Sequence, residues 1–99
     1  MRVEFEIEGT EGLRRGSTKD LSARGAYVET RTPPEVDDVV RLHIHAPSAW
    51  EPIRVPARVK WVDAHGLGGE PGFGARFDRM DRAQLVAIRE LLSALEYED

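Results

Sequence analysis

The chain has 99 residues, of which 40% are hydrophobic and 32% charged, as in globular proteins rather than disordered segments. A chain of this length forms one domain with a modest core, and its formal net charge of −4 argues against a general DNA- or RNA-binding protein, which needs a basic face. Its lack of cysteine excludes disulfides, thiolate nucleophiles and the common structural zinc sites.

Two further features of the composition bear on location and ligand. No apolar run approaches the roughly 18 residues that a membrane span requires, so we expect a cytoplasmic protein without membrane insertion. The charge is unevenly spread, because residues 14–31 hold five basic and only two acidic residues, a local balance of +3. This locally basic stretch suits a small anionic ligand better than a polymer.

Alternation of apolar and polar residues predicts six short strands. The first covers residues 2–8, the second 13 to about 19, the third 26–30, the fourth 39–46, the fifth 53–61 and the sixth 72–77. In the fifth strand Ile53, Val55, Ala57, Val59 and Trp61 occupy every second position, which predicts that all five face the core. Pro56 falls on the other face, where it is tolerated mainly at an edge or a bulge.

A helix is predicted from roughly residue 82 to 95. Asp81 can cap it with Gln84 as capping-box partner, and Leu85, Ile88, Leu92 and Leu95 then share one helical face. Six short strands and a terminal helix fit a sandwich or a small closed barrel, and closure removes exposed sheet edges. We therefore expect a mainly β protein: a single domain of residues 1–99, with a six-stranded antiparallel barrel over about 2–78 and one C-terminal α-helix.

Catalytic signatures are missing from the sequence, which contains no Gly-x-Ser-x-Gly element, no His-Glu-x-x-His and no P-loop, so we do not expect an enzyme. His43 and His45 lie two apart on a predicted strand and could ligate a metal with His65 or Asp63. Strand alternation alone also explains the histidine pair, and we favour that explanation. Trp50, at a predicted hairpin tip, is either a partner-binding anchor or a cap over the barrel mouth.

The segment Asp20-Leu21-Ser22-Ala23-Arg24-Gly25 places a carboxylate, a hydroxyl and a glycine in one tight connection between strands. As a purely structural element it is a turn, in which Asp20 and Ser22 bind local amides and Gly25 takes a positive φ. As a functional element it is a purine site. Asp20 and Ser22 would then accept hydrogen bonds from guanine, and Gly25 would let the ring approach the backbone.

That segment resembles the D/N-x-S-x-x-G motif of PilZ domains, a bacterial family of small six-stranded barrels known as receptors for cyclic di-GMP. Two more segments support the resemblance: Val59-Lys60-Trp61 is similar to the family's Val-x-Trp strand, and residues 72–77 are similar to its Gly-x-Gly-x-x-Phe strand, which a helix follows. The resemblance covers roughly residues 2–95 with the motifs in the family's order. It implies a PilZ-like barrel that takes cyclic di-GMP as ligand, without a cofactor or a metal.

The family's other ligand motif, R-x-x-x-R, lies just before the first strand, and here only Arg2 can stand at its second arginine. The resemblance implies a site formed by Arg2, Asp20, Ser22, Arg24 and Gly25, with Asp20 and Ser22 binding guanine and Arg2, helped by Arg24, holding phosphate. The first arginine of the motif is missing, and losing its charge-assisted bonds lowers affinity about ten- to a hundredfold. Arg14 and Arg15 are candidate substitutes, on the strength of the local +3 balance.

Two functional hypotheses follow from this resemblance. The first is a cyclic di-GMP-responsive receptor or adaptor that acts on a partner protein, as a monomer or weak dimer and with no DNA or RNA partner. The second is a degenerate adaptor that no longer binds the nucleotide and works through protein contacts at its barrel face, Trp50 and its acidic C-terminal end. An enzyme or metal protein built on His43 and His45 is the least favoured.

Overall fold

The computed structural model describes residues 1–47, 49–64 and 70–96. It contains the six predicted strands and the predicted helix, with ends shifted by at most two residues. In chain order they are β1 (Arg2–Ile7), β2 (Arg14–Leu21), β3 (Gly25–Glu29), β4 (Val39–Ile44), β5 (Ile53–Asp63), β6 (Gly72–Phe77) and α1 (Arg82–Glu96).

The strands close into a barrel in the order β1-β2-β3-β6-β5-β4, with every neighbouring pair antiparallel. The predicted barrel is therefore confirmed. Inward-facing residues of β1, β3, β4, β5 and β6 form one core, in which Phe5 and Phe73 meet edge to face with ring centroids 5.0 Å apart. Strand β2 adds only the half-buried Leu21 to it among the described residues. The outward-facing residues take no part in this core and can contact a ligand or a partner.

Helix α1 packs its apolar side onto this core, with Ile88 and Leu91 buried. The predicted capping box is confirmed: Asp81 Oδ1 accepts the Gln84 N–H, and Gln84 Oε1 accepts the Asp81 N–H, each at 2.8 Å. The Gln84 amide also donates to the carbonyl of Arg54, at 2.9 Å, and so ties the first turn of the helix to the start of β5. None of the helices among the described residues is long and apolar enough to cross a membrane.

A bulge in β5 overturns the prediction for Trp61. The pairing register of β5 on β6 shifts between Val59 and Trp61, so that Lys60 is an extra residue with no partner opposite it. The extra residue reverses the alternation of side chains beyond it. Val59 is fully buried, but the Trp61 side chain lies outside the barrel with 55% of its surface exposed.

Pro56 lies where β5 passes the end of β6. Its carbonyl accepts the N–H of Asp78, just beyond β6, at 3.0 Å, and the regular pairing of the two strands starts at Ala57 opposite Phe77. The N–H and C=O of one strand residue point to the same side, so the N–H that Pro56 lacks would point beyond the end of the β5–β6 ladder. The proline therefore removes no hydrogen bond from the β5–β6 ladder.

Candidate functional site

Ser22 shapes the connection between β2 and β3. Its Oγ accepts the backbone N–H of Arg24 at 3.2 Å and of Gly25 at 3.3 Å, and its own N–H donates to the Gly25 carbonyl at 2.9 Å. This is the serine turn expected of the segment as a structural element. Asp20 does not take part in it: the carboxylate is exposed and has no hydrogen bond or ion pair within the described residues.

The expected positive φ at Gly25 is not observed, since the described glycines with positive φ are Gly9 and Gly12. Glycine is needed at position 25 for a different reason. Gly25 pairs with Arg76 of β6, and a Cβ on it would collide with the carbonyl oxygen of Ala75. The residue therefore allows β3 to approach the β6 backbone.

The turn opens onto a pocket of about 600 Å³ on the outer surface of the barrel. The pocket extends from the end of β2 across β3 and β6 to β5, and it includes four of the residues predicted for the site, Asp20, Ser22, Arg24 and Gly25. Lys60 and Trp61 both line it although they are consecutive, because the bulge places both on the outside of the sheet. Its other lining residues are Leu21, Ala26, Tyr27, Ala75 and Arg76.

Two aromatic rings form one wall of the pocket. Tyr27 and Trp61 stack with ring centroids 6.4 Å apart and planes 25° from parallel. They lie over the two glycines of β6: a Cβ on Gly72 would come within 2.7 Å of the Tyr27 hydroxyl, and one on Gly74 would collide with the Trp61 indole. The Gly-x-Gly spacing of β6 thus makes room for this aromatic pair.

The Tyr27 hydroxyl is a neutral hydrogen-bond donor. Burial raises its pKa above the ordinary value for tyrosine, and the carboxylates of Asp63 and Glu29 add to the effect. The phenol therefore keeps its proton at neutral pH and can donate a hydrogen bond.

Positive charge dominates the pocket. Arg24, Lys60 and Arg76 are cationic, and Asp20 is the carboxylate among the lining residues, which gives a balance of +2 in a protein of net charge −4. Sequence reasoning did not select Tyr27, Lys60, Trp61 or Arg76 for the site. Lys60, Trp61 and Arg76 belong to the family-like segments of β5 and β6, which was a signal. The bulge that turns Trp61 outward could not be predicted from alternation.

The other three arginines predicted for the site do not line this pocket. The Arg2 guanidinium lies 3.2 Å from Nδ1 of His45. Arg14 donates to the carbonyls of Thr32 and Pro33 at 2.9 and 3.4 Å. Arg15 lines a separate depression of about 540 Å³, which also contains two carboxylates, Glu29 and Glu70.

His43 of β4 and His45, just after it, pair with carboxylates of β1. His45 Nε2 is 2.7 Å from Glu4 Oε1, and His43 Nε2 is 3.4 Å from Glu6 Oε1. Within residues 1–47, 49–64 and 70–96 there is no group of three or more His, Cys, Asp and Glu residues that could hold a metal, and His65 lies outside these ranges.

Trp50 and the C-terminal end were the predicted contacts of an adaptor. The Trp50 side chain is fully exposed, which excludes a role as a cap over the barrel mouth. Residues 97–99, at the acidic C-terminal end, lie outside the described residues.

Known proteins share this architecture. A family model described as the PilZ domain matches residues 1–94. Among solved structures, the PilZ domain of CeSA from a cellulose-synthesizing bacterium is 22% identical, covers 97% of this chain and 92% of its own, and superposes with a TM-score of 0.70. At this identity the structural likeness shows the fold alone. No curated protein matches the sequence. Because the family model spans nearly the whole chain, the chain belongs to the PilZ domain family, a family of binding modules for cyclic di-GMP.

Proposed function

We propose that this protein binds cyclic di-GMP in the pocket beside Asp20 and Ser22 and passes the signal to a partner protein. The observation that carries the proposal is the composition of this pocket: an unpaired carboxylate, a stacked aromatic pair and three cations meet in about 600 Å³. A ligand with two guanines and two phosphates needs these three kinds of group.

Guanine recognition is assigned to Asp20, because its carboxylate is free of other partners in the described part of the chain and can accept from the guanine N–H groups. Ser22 contributes mainly by holding the turn, since its Oγ already accepts two backbone N–H groups. Its hydroxyl hydrogen is directed toward the Gly25 carbonyl at 3.4 Å, a long contact that a better acceptor on the ligand can replace.

The Trp61 indole supplies a surface on which a purine can stack. It is exposed, lines the pocket and is held in place by the stack on Tyr27. Base stacking on an aromatic side chain contributes about 1–3 kcal/mol per base. The proposed site therefore binds guanine through both its edge and its face.

Titration calorimetry with cyclic di-GMP tests the proposal, in a buffer of stated ionic strength because the ligand is dianionic. We expect saturable binding by the wild-type protein and an affinity about ten- to a hundredfold lower in Asp20→Ala, which loses a charge-assisted hydrogen bond. Asp78→Ala is the matched control, because Asp78 is an exposed carboxylate just past β6 that does not line the pocket. Absence of binding by the wild-type protein, or equal losses in both variants, would contradict the proposal.

A second candidate function is an adaptor that does not bind the nucleotide. It is favoured by the position of Arg2, which contacts His45 rather than lining the pocket, and by the full exposure of Trp50 on the β4–β5 hairpin. The same titration separates the two candidates, since only the receptor binds the ligand.

A further inference from the structure

The wall of the pocket formed by β5 and β6 carries two cations that the protein itself leaves unpaired. Lys60 is the extra residue of the β5 bulge and Arg76 lies on β6, and both side chains are exposed. Neither side chain has a hydrogen bond or an ion pair with another described residue. Their charges are thus available to a ligand.

Arg76 also lies directly opposite another arginine, Arg58 of β5. Like charges at directly opposed positions of neighbouring strands destabilise a sheet. The Arg58 guanidinium donates to the carbonyl of Asp37 at 3.3 Å, and so is anchored outside the pocket, whereas Arg76 lines it. An anion bound beside Arg76 would offset this repulsion, which no described carboxylate does.

We propose that Lys60 and Arg76 hold the phosphates of the ligand and take over the task that the sequence assigned to Arg14 and Arg15. The inference rests on the proposed function and names the groups that bind the anionic part of the ligand. Arg76 is directly across from Gly25, so it adjoins the Asp20–Ser22 end of the pocket, and Lys60 is next to the stacking surface of Trp61. A phosphate between two bases can reach both cations from such a position.

Arg14 and Arg15 are poorly placed for the same task. They lie at the start of β2, whereas Asp20 is near its end, and Arg14 is already bound to two loop carbonyls. Arg15 lines another depression, together with Glu29 and Glu70. Substituting this pair should therefore change cyclic di-GMP affinity much less than substituting the pair on β5 and β6.

The test compares cyclic di-GMP affinity in the wild-type protein, Lys60→Ala, Arg76→Ala and the double variant. Each single change should lower affinity about tenfold or more, and the double variant should fall further and show a weaker salt dependence. Arg54→Ala is the matched control, because it also removes an exposed cation from β5 but lies outside the pocket. Arg76→Lys keeps the charge without the bidentate geometry and should give an intermediate loss.

Thermal melting without ligand supplies a second readout. Arg76→Ala removes a repulsion without removing a side-chain hydrogen bond or ion pair to any described residue, so its melting temperature should be equal to or above that of the wild type. If the wild-type protein binds cyclic di-GMP and the double variant binds it as tightly as Arg54→Ala does, the inference is overturned. The proposed function is then unaffected. A wild-type protein that does not bind would overturn the proposed function and the inference with it.

Discussion

The indole of Trp61 lies directly over Gly74 on the outside of the barrel, where the two residues pair across β5 and β6. Tyr27, on the other neighbour of β6, also pairs with Gly74 and completes the stack. A residue without a side chain in the middle strand thus lets two rings from the flanking strands meet above it. The aromatic wall of the pocket depends on this arrangement.

Trp61→Ala should therefore lower cyclic di-GMP affinity about tenfold or more, because stacking of one base contributes about 1–3 kcal/mol. The chain provides its own control in Trp50, which is fully exposed on a hairpin and does not line the pocket. Titration calorimetry of Trp61→Ala and Trp50→Ala measures the difference. Equal affinities for the two variants would show that no base stacks on Trp61.

Gly74→Ala should displace the indole, since the added methyl group would occupy its space. Overpacking of this kind destabilises by about 1–3 kcal/mol, and denaturant unfolding measures it. In the double variant Gly74→Ala, Trp61→Ala the clash is absent, so the two changes should be less than additive. Additive losses would mean that the methyl group is accommodated without moving Trp61.

Gly25→Ala should destabilise the barrel by a similar amount, about 1–3 kcal/mol, because its methyl group would meet the backbone carbonyl of Ala75, which cannot rotate away. Ala23→Ser, at an exposed position of the same turn, should change the free energy of unfolding by less than about 0.5 kcal/mol. Denaturant unfolding of both variants checks this. A stable Gly25→Ala protein would show that β3 and β6 can separate locally.

Much of this fold could be predicted because β1, β3, β4 and most of β5 bury one face. The alternation of Val3, Phe5 and Ile7 fixes the inward side of β1, and Asp81 with Gln84 fixes the start of the helix. Six short strands fit a sandwich as well as a barrel, and the barrel is the favoured prediction because closure removes exposed sheet edges.

The pocket was less predictable, because its geometry depends on breaks in that alternation. The sequence 53–61 alternates without interruption, yet a bulge at Lys60 turns Trp61 outward. The outward position of Trp61 also requires space on the partner strand, which Gly74 provides. Arg14 and Arg15 are candidates because of the local +3 charge balance of residues 14–31, whereas Arg76 reaches the turn through strand pairing with Gly25.

Glu4 makes the stability of the barrel sensitive to acid. The hydrogen bond from His45 is the largest cause that lowers the Glu4 pKa, and the charges of His45, Arg2 and Arg15 also act in this direction. A lowered pKa in the folded state stabilises the protein above the ordinary carboxyl value of about 4.3, and this contribution is lost as the pH falls through the folded pKa. Glu4→Gln should therefore flatten the dependence of melting temperature on pH below about 4.3.

The matched control for that prediction is Glu8→Gln, at an exposed carboxylate just after the same strand. In Glu8→Gln the melting temperature should fall with decreasing pH as steeply as in the wild-type protein. Melting curves between about pH 2 and pH 7 measure both variants, and an unchanged slope in Glu4→Gln would show that the His45 contact is not maintained in solution.

The contact between Arg2 and His45 provides a test of whether Arg2 binds phosphate. A guanidinium can only donate, so Nδ1 of His45 accepts from Arg2 and Nε2 carries the proton that is donated to Glu4. If Arg2 is to hold a phosphate, it must first leave this acceptor. His45→Ala should then raise cyclic di-GMP affinity about two- to tenfold, because a net hydrogen bond of about 0.5–1.5 kcal/mol no longer competes with the ligand.

His43→Ala is the matched control, because His43 pairs with Glu6 and not with Arg2. It should leave the affinity at the wild-type value, and adding Arg2→Ala to His45→Ala should abolish the gain. An affinity that none of these changes alters would mean that Arg2 takes no part in binding. The phosphate contacts would then belong entirely to the cations that line the pocket, Arg24, Lys60 and Arg76.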